Sequence, residues 1–479
     1  MNIKKLLGYA LGPIGSAAAS AISLPLISWY FPADDIGRIV LLQTVSGLIL
    51  IVLGLGLDQS YIREYHAAPD KSVLLNTVSL LPLLLSAACI AGILLAAPAM
   101  PSEMILELKQ ADLGVLCVVF MAALVPARFL SVVLRMQERA YAFSFSQLMP
   151  KLLILVLVAG YMLTGAANST FNLVAAYAAA QWLALAVLSV QTRRDAARAW
   201  KAHTDPALLK ETLKYGVPLV LGGLAYWGLT SVDRLMLKQY GSLAELGIYS
   251  MAVSFGAAAL IFQSIFSTIW APMVFRWVNE NENLDRIAKI VPPMLAAAAA
   301  VLCLAGIFSP LIPLILPSKY AAVQFILLSS ILFPLLYTMT EVTGIGINVS
   351  RKTWLVTVIS VIALAANFAL CRLLVPAFGA KGAAASMAVS FWLYFALKTE
   401  ASVLLWQKLP RTKIYGTTLI CLFSCLAYTF WGSRGNYPLF AAGWAAALAG
   451  IGFAYRTQLV LLAERIAGRL KKAAQAIPQ

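Results

Sequence analysis

Charge is scarce in this sequence. Of 479 residues only 12% are Asp, Glu, Lys or Arg, against 61% hydrophobic residues and a mean hydropathy of +0.84. A soluble globular chain carries about 25% charged and about 45–50% apolar residues. The deficit excludes a soluble domain and predicts an all-α polytopic membrane protein. Histidine is nearly missing: His66 and His203 both fall in loops, so no histidine metal site can be built. The six cysteines (Cys89, Cys117, Cys303, Cys371, Cys421 and Cys425) sit in apolar segments with neither metal spacing nor a secreted-type framework, and read as small fillers. No phosphate-binding or nucleotide-sugar motif appears. No metal, no catalytic residue and no bound cofactor is expected.

Long apolar runs are what the chain has instead. A membrane helix needs about 20 predominantly apolar residues. About 14 segments qualify, at 6–31, 37–60, 73–97, 113–134, 145–164, 171–192, 217–240, 248–275, 290–309, 322–347, 354–375, 383–405, 414–431 and 437–455. The N-terminus, with Lys4, Lys5 and AAASA at 17–21, imitates a signal peptide, but its apolar run continues to Phe31 and reads as a spanning helix.

The net charge of +16 reflects topology. One set of loops and loop edges holds Lys4, Lys5, Arg63, Lys71, Arg135, Arg139, Lys151, Arg193, Arg194, Arg198, Lys201 and their second-half counterparts; the opposite set holds only Arg38, Lys109, Lys319, Lys381 and Arg434. By the positive-inside rule both termini are cytosolic. The basic excess needs no nucleic-acid partner. Two cytosolic pieces look amphipathic: 204–214, opened by Thr204, Asp205 and Pro206, and the tail around 456–472. Both suit helices on the inner leaflet, the alternatives being a solvated linker and a frayed tail.

The chain repeats itself. Tyr9 and Pro13 open the first span and Asp35 and Gly37 follow its exit; Tyr215 and Pro218 open the seventh, and Glu245 and Gly247 follow. The exits of spans 4 and 10 align at a separation of 213 residues. An even number of spans separates the copies, so the repeats run parallel about an axis along the membrane normal. The expected plan is an N-lobe at 1–192, a basic linker at 193–216, a C-lobe at 217–405, a helix pair at 406–455 and a basic tail at 456–479. Two six-helix lobes around a central cavity suit alternating access.

Charges inside the spans are the site candidates, because each costs about 2.5–3.5 kcal/mol in hydrocarbon and so turns to a bundle interior or wet cavity. On span 7, Trp227, Ser231, Arg234 and Lys238 follow helical spacing and form one stripe. Tyr226, Thr230 and Asp233 form the adjoining one. An aromatic ring suits a sugar face, and a guanidinium grips a diphosphate bidentately. The competing reading makes Asp233 and Arg234 structural partners of neighbouring helices, with Lys238 reaching the outer interface. Arg128 on span 4 and Glu341 on span 10 occupy equivalent repeat positions, which suggests an ion pair across the pseudo-two-fold closing the cytosolic side. Each could instead have a partner in its own lobe. Asp58 and Arg63 end span 2 at the cytosolic mouth, and Lys398 and Glu400 on span 12 read as mutually or locally paired.

The lobe plan, GLDQSYIREY at 56–65, LRMQERAYAF at 134–143 and the region from YGVPLVL at 215 through SVDRLML to LGIYS resemble the Wzx-type polysaccharide flippases, members of the multidrug/oligosaccharidyl-lipid/polysaccharide (MOP) exporter superfamily. The resemblance covers essentially the whole chain. It implies translocation of undecaprenyl-diphosphate-linked oligosaccharide, such as an O-antigen repeat unit, from inner to outer leaflet of a bacterial inner membrane, with H+ or Na+ coupling. It also implies work beside a polysaccharide polymerase and a chain-length regulator. Substrate-binding candidates are then Arg234, Lys238, Trp227, Tyr226, Arg128 and Arg63; coupling or gating candidates are Asp233, Glu341 and Asp58. A peptidoglycan-precursor flippase and a drug or cation antiporter are the alternatives. A membrane polymerase or ligase would need a sizeable outer loop with Arg or His, and here those loops are short and histidine-free.

Overall fold

The computed structural model describes residues 3–280 and 285–456. No strand occurs among the described residues. The first half runs α1 (Ile3–Tyr30), α2 (Ala33–Gly54), α3 (Leu57–Glu64), α4 (Lys71–Ala96), α5 (Met100–Leu106), α6 (Ala111–Ala122), α7 (Leu124–Met136), α8 (Ala140–Thr164) and α9 (Thr170–Lys201). The second runs α10 (Pro206–Tyr240), α11 (Leu243–Asn279), α12 (Asp285–Ile307), α13 (Ile312–Ile315), α14 (Val323–Thr343), α15 (Gly346–Val349), α16 (Trp354–Leu405), α17 (Arg411–Trp431) and α18 (Tyr437–Ala454). Among the described residues, ten helical segments are long and apolar enough to cross a membrane. The chain is a multi-pass membrane protein. The count of ten takes α16 once, although Gly379, at φ 51° in the left-handed region, joins two helices there, just after Pro376.

Local chemistry sets the boundaries. Asp70 caps α4, accepting from the Ser72 amide at 2.7 Å, and the bonds from Ser72 and Val73 hold its carboxyl below the usual range. Ser169 caps α9 at the Asn172 amide, 3.3 Å, and Ser242 caps α11 at the Glu245 amide, 3.2 Å. Asp205 accepts from Ala207 and Leu208 (2.9 and 3.1 Å), with Pro206 at the first helical position, so α10 starts where the sequence places a helix start.

That helix then departs from expectation. It continues unbroken to Tyr240 as the seventh span. Its early face, Leu208, Leu209 and Leu213, packs on a buried cluster containing Leu57, Tyr61 and Leu74, so it lies on protein, where the inner leaflet had been expected. The amphipathic tail expected at 456–472 falls, beyond Arg456, outside the described residues. Span 2 also differs: it breaks into α2 and α3 at Leu55 (φ 51°) and Gly56 (φ 68°).

Packing echoes the repeat. α1 lies along α8 as α10 lies along α16. Gly12 approaches Ser144, and Gly222 approaches Thr357, shifted by 210 and 213 residues respectively. At the end opposite the basic loops, α2 and α11 cross by their first turns. A Cβ on Gly37 would stand 2.2 Å from the Leu243 carbonyl oxygen, and one on Gly247 would stand 2.4 Å from that of Ala33. A shift of 210 residues converts one contact into the other, as a local two-fold requires. Only glycine permits so close a crossing.

Candidate functional site

Two cavities lie in succession along α2 and α10. The inner one, about 380 Å³, is enclosed by α1, α2, α8, α9, α10 and α11. Trp227, Ser231 and Arg234 of α10 face it together, as their helical spacing predicts. Its other polar walls are Ser20 and Ser23 of α1, Gln43 and Thr44 of α2, Tyr177 of α9, and Ser250 and Ser254 of α11. The Arg234 guanidinium reaches the Thr44 hydroxyl at 3.4 Å through Nη1, while its buried Nε has no hydrogen-bond partner. The Trp227 indole N–H donates to the Thr44 carbonyl at 3.1 Å, which fixes the ring at the cavity wall.

Lys151 of α8 is the second cation of this cavity. It donates to the Ser16 carbonyl at 3.1 Å and to the Ser20 hydroxyl. Sequence reasoning places it among the cytosolic basic residues. The signal to the contrary is its position inside the 145–164 apolar run, eleven residues into α8 and so about 17 Å along that helix. The cavity lining contains no Asp or Glu.

Asp233 turns the other way. It is 1% exposed, accepts a hydrogen bond from the Tyr249 hydroxyl on Oδ2, and leaves Oδ1 without a partner. The Asp-Arg sequence thus directs one charge into the cavity and the other into the contact of α10 with α11. Lys238 leaves the stripe: its ammonium donates to the Met104 carbonyl of α5, away from the cavity. Tyr226 packs in the second half, 5.9 Å from the Tyr337 ring.

The second cavity, about 340 Å³, lies nearer the basic loops and is lined by Gly54, Gly56, Asp58, Arg128, Phe129 and Gly223, among others. Of the two readings of Arg128, the structure shows a partner in its own half. Arg128 pairs with Asp58 of its own half, through Nε at 2.9 Å and Nη2 at 2.7 Å; it does not pair with Glu341. The helix break at Leu55 and Gly56 redirects α3 and brings Asp58 to Arg128, something a repeat offset cannot register. In the second half, Lys398 donates to Thr340 Oγ1, beside Glu341, at 3.3 Å and lies over the Tyr337 and Tyr394 rings. Glu400 is paired with Arg411 at 2.9 Å, and not with Lys398. Arg63 lies outside both cavities, over the Tyr215 ring at 4.3 Å and 3.3 Å from Glu64.

The end away from the basic loops is held shut. Besides the glycine crossing, Lys319 donates to the Phe31 carbonyl at 2.7 Å and Trp29 to that of Ile315 at 3.1 Å. Burial pushes the Lys319 ammonium below the usual lysine range. Asp35 holds Arg38 at 2.7 Å and accepts from Thr170.

The sequence profile of a family described as "Polysaccharide biosynthesis protein" matches residues 3–278. No curated protein matches the chain in sequence. Among solved structures, the lipid II flippase MurJ in an inward closed conformation superposes with a TM-score of 0.68 at 11% identity, over 96% of this chain and 100% of that one. An inward-facing multidrug resistance MATE transporter of the MOP superfamily gives 0.58 at 15% identity, over 88% and 99%. A MOP superfamily transporter from Pyrococcus furiosus, described by the reverse polarity of its binding pocket, gives 0.51 at 14%, over 86% and 96%. At these identities the likeness is one of fold.

Proposed function

This chain belongs to the polysaccharide biosynthesis protein family, and from that premise we propose that it is a MOP-superfamily flippase for a polyprenyl-diphosphate-linked oligosaccharide. Its substrate class is the undecaprenyl-diphosphate repeat unit of O-antigen or another surface polysaccharide, carried from inner to outer leaflet of a bacterial inner membrane, with both termini cytosolic. A polymerase and a chain-length regulator would then receive the product.

The observation that carries this reading is the charge of the inner cavity: two cations, Arg234 and Lys151, one indole, several hydroxyls and no carboxylate. A diphosphate is a dianion and matches two cations, with the guanidinium taking two of its oxygens. Trp227 offers an aromatic face to a sugar ring, and the serines and Gln43 offer exchangeable hydrogen bonds to hydroxyls. An antiporter of cationic drugs needs an acidic lining, so the same observation weighs against it. The lipid precursor of peptidoglycan shares the diphosphate and the polyprenyl tail, and the assay below separates the two by their glycans.

Moving an anion outward across a cytosol-negative membrane is favoured by about 2.3 kcal/mol per charge per 100 mV. Ion coupling therefore serves to reset the carrier. Asp233 is our candidate for the coupling group. Its Oδ1 is buried without a partner, beside an arginine whose charge changes partners when substrate binds.

The test is reconstitution of the full chain in proteoliposomes carrying a fluorescent undecaprenyl-diphosphate oligosaccharide. Protein-dependent appearance of the glycan in the opposite leaflet is expected. Preference for the peptidoglycan precursor would move the assignment to that substrate. No movement of either lipid, by protein that remains folded, sinks the reading.

A further inference from the structure

We infer that the Arg128–Asp58 ion pair is an exchangeable latch at a loading subsite, where the diphosphate of an incoming lipid displaces Asp58 from the guanidinium. The inference rests on the flippase reading above and deepens it.

The geometry of the pair is the first argument. Both guanidinium bonds end on one oxygen, Asp58 Oδ2, which also accepts from Gln59 Nε2 at 2.9 Å. That grip uses one acceptor atom where the fork offers places for two. A diphosphate presents neighbouring oxygens to the same fork and brings two charges against one. The side chains are 40% and 14% exposed, so the pair is reachable from the cavity yet drier than a surface pair. A fully exposed pair would contribute little, and a fully buried one would not exchange.

The broken helix is the second, independent argument. Leu55 holds a left-handed conformation that a residue with a side chain adopts only under constraint. The break ends α2 and starts α3 at the cavity wall, with Gly54 and Gly56 both lining it. Interrupted membrane helices present positive N-terminal ends to anionic groups. Here that end and Arg128 border one cavity of about 340 Å³.

Placement is the third. The cavity adjoins the basic loops and leads along α2 and α10 toward Arg234. From Gly223, which lines this cavity, to Trp227, which lines the one containing Arg234, is one helical turn, about 6 Å. A headgroup leaving Arg128 therefore finds Arg234 as its next cation. Asp58 then re-forms its pair and opposes return of the anion.

The experiment is equilibrium binding of radiolabelled undecaprenyl diphosphate to the full chain in lipid nanodiscs. Asp58→Asn keeps the shape and removes the competing charge; it should tighten binding about tenfold. Arg128→Ala should weaken binding about tenfold and, combined with Asp58→Asn, cancel the gain. Should Asp58→Asn fold poorly, Gln59→Leu removes only the third bond to Oδ2 and should move affinity in the same direction by less. Binding by the wild type that Arg234→Ala weakens but Asp58→Asn leaves unchanged overturns the latch and spares the flippase reading. No wild-type binding overturns both. Inorganic diphosphate is the second probe: if it binds as tightly as the lipid and Asp58→Asn tightens both alike, the site serves a free anion and its loading role falls.

Discussion

Arg234 and Arg128 face neighbouring cavities along α2 and α10, and their surroundings are opposite. Arg128 meets a carboxylate at 2.7 Å. Arg234 reaches only a threonine hydroxyl at 3.4 Å and keeps its Nε unpartnered; among the described residues no carboxylate forms an ion pair with it. The nearest acid in sequence, Asp233, is occupied with Tyr249. An arginine held off its counter-ion in the membrane interior is a costly arrangement, and the physical reason to keep it is an anion that arrives and leaves. An arginine paired with a carboxylate forms a net-neutral couple at rest and suits a step that must be closed between events.

The largest effect should come from removing the unpaired charge. Arg234→Ala should lower flipping about a hundredfold or more, and Arg234→Lys should keep part of it, since a point charge replaces a bidentate fork. The measurement is the proteoliposome rate, with thermal unfolding as the control for folding. A normal rate with Arg234→Ala would erase the contrast between the two arginines and make Arg234 structural.

The next effect concerns what keeps the inner cavity closed on its far side. Gly247→Val places side-chain atoms where a Cβ alone would stand 2.4 Å from the Ala33 carbonyl. The crossing of α2 and α11 must separate, and alternating access loses its outer closure. Flipping should fall by tens of fold, on the order of 2 kcal/mol of lost closure. A fast-flipping Gly247→Val would mean that the crossing is packing alone.

Lys151 ranks below Arg234, because an ammonium on two serine oxygens is a softer, single-point partner. Lys151→Ala should slow flipping about tenfold, and Lys151→Arg should restore most of the rate. An effect equal to that of Arg234→Ala would make the two cations one unit, and the double variant, read as a cycle, would then fail to add.

The class, an all-helical multi-pass membrane protein, was legible in the sequence because bilayer thickness imposes run length. The Trp227, Ser231 and Arg234 face was legible because helical periodicity is local. What escaped depended on tertiary direction. The repeat offset left two readings of Arg128 open, a partner across the two-fold or one in its own half, and could not name Asp58, which a two-residue break at Leu55 and Gly56 supplies. Lys151 was assigned to a loop because charge counting favours helix edges, although its own apolar run contained it. What covers the face of 208–213 was not legible, because amphipathicity states that a face is covered without stating by what; a buried cluster of the first half covers it.

The smallest effect belongs to Lys238, and it sharpens the comparison most cheaply. Lys238 sits one turn beyond Arg234 on the same helix face by sequence, so a periodic reading makes the two a continuous cationic track. The structure parts them: the Lys238 ammonium is bonded to the Met104 carbonyl of α5, outside the cavity that Arg234 lines. A partly exposed lysine bonded to a single helix carbonyl contributes about 0–1 kcal/mol to stability. Lys238→Met keeps the stem and removes the charge. It should leave the flipping rate within about twofold of wild type, the fold-change that about 0.4 kcal/mol corresponds to. A loss approaching that of Arg234→Ala would extend the anion path to the far end of α10. The contrast between the two arginines would then describe two points on a longer charged track, with the inner cavity no longer its end.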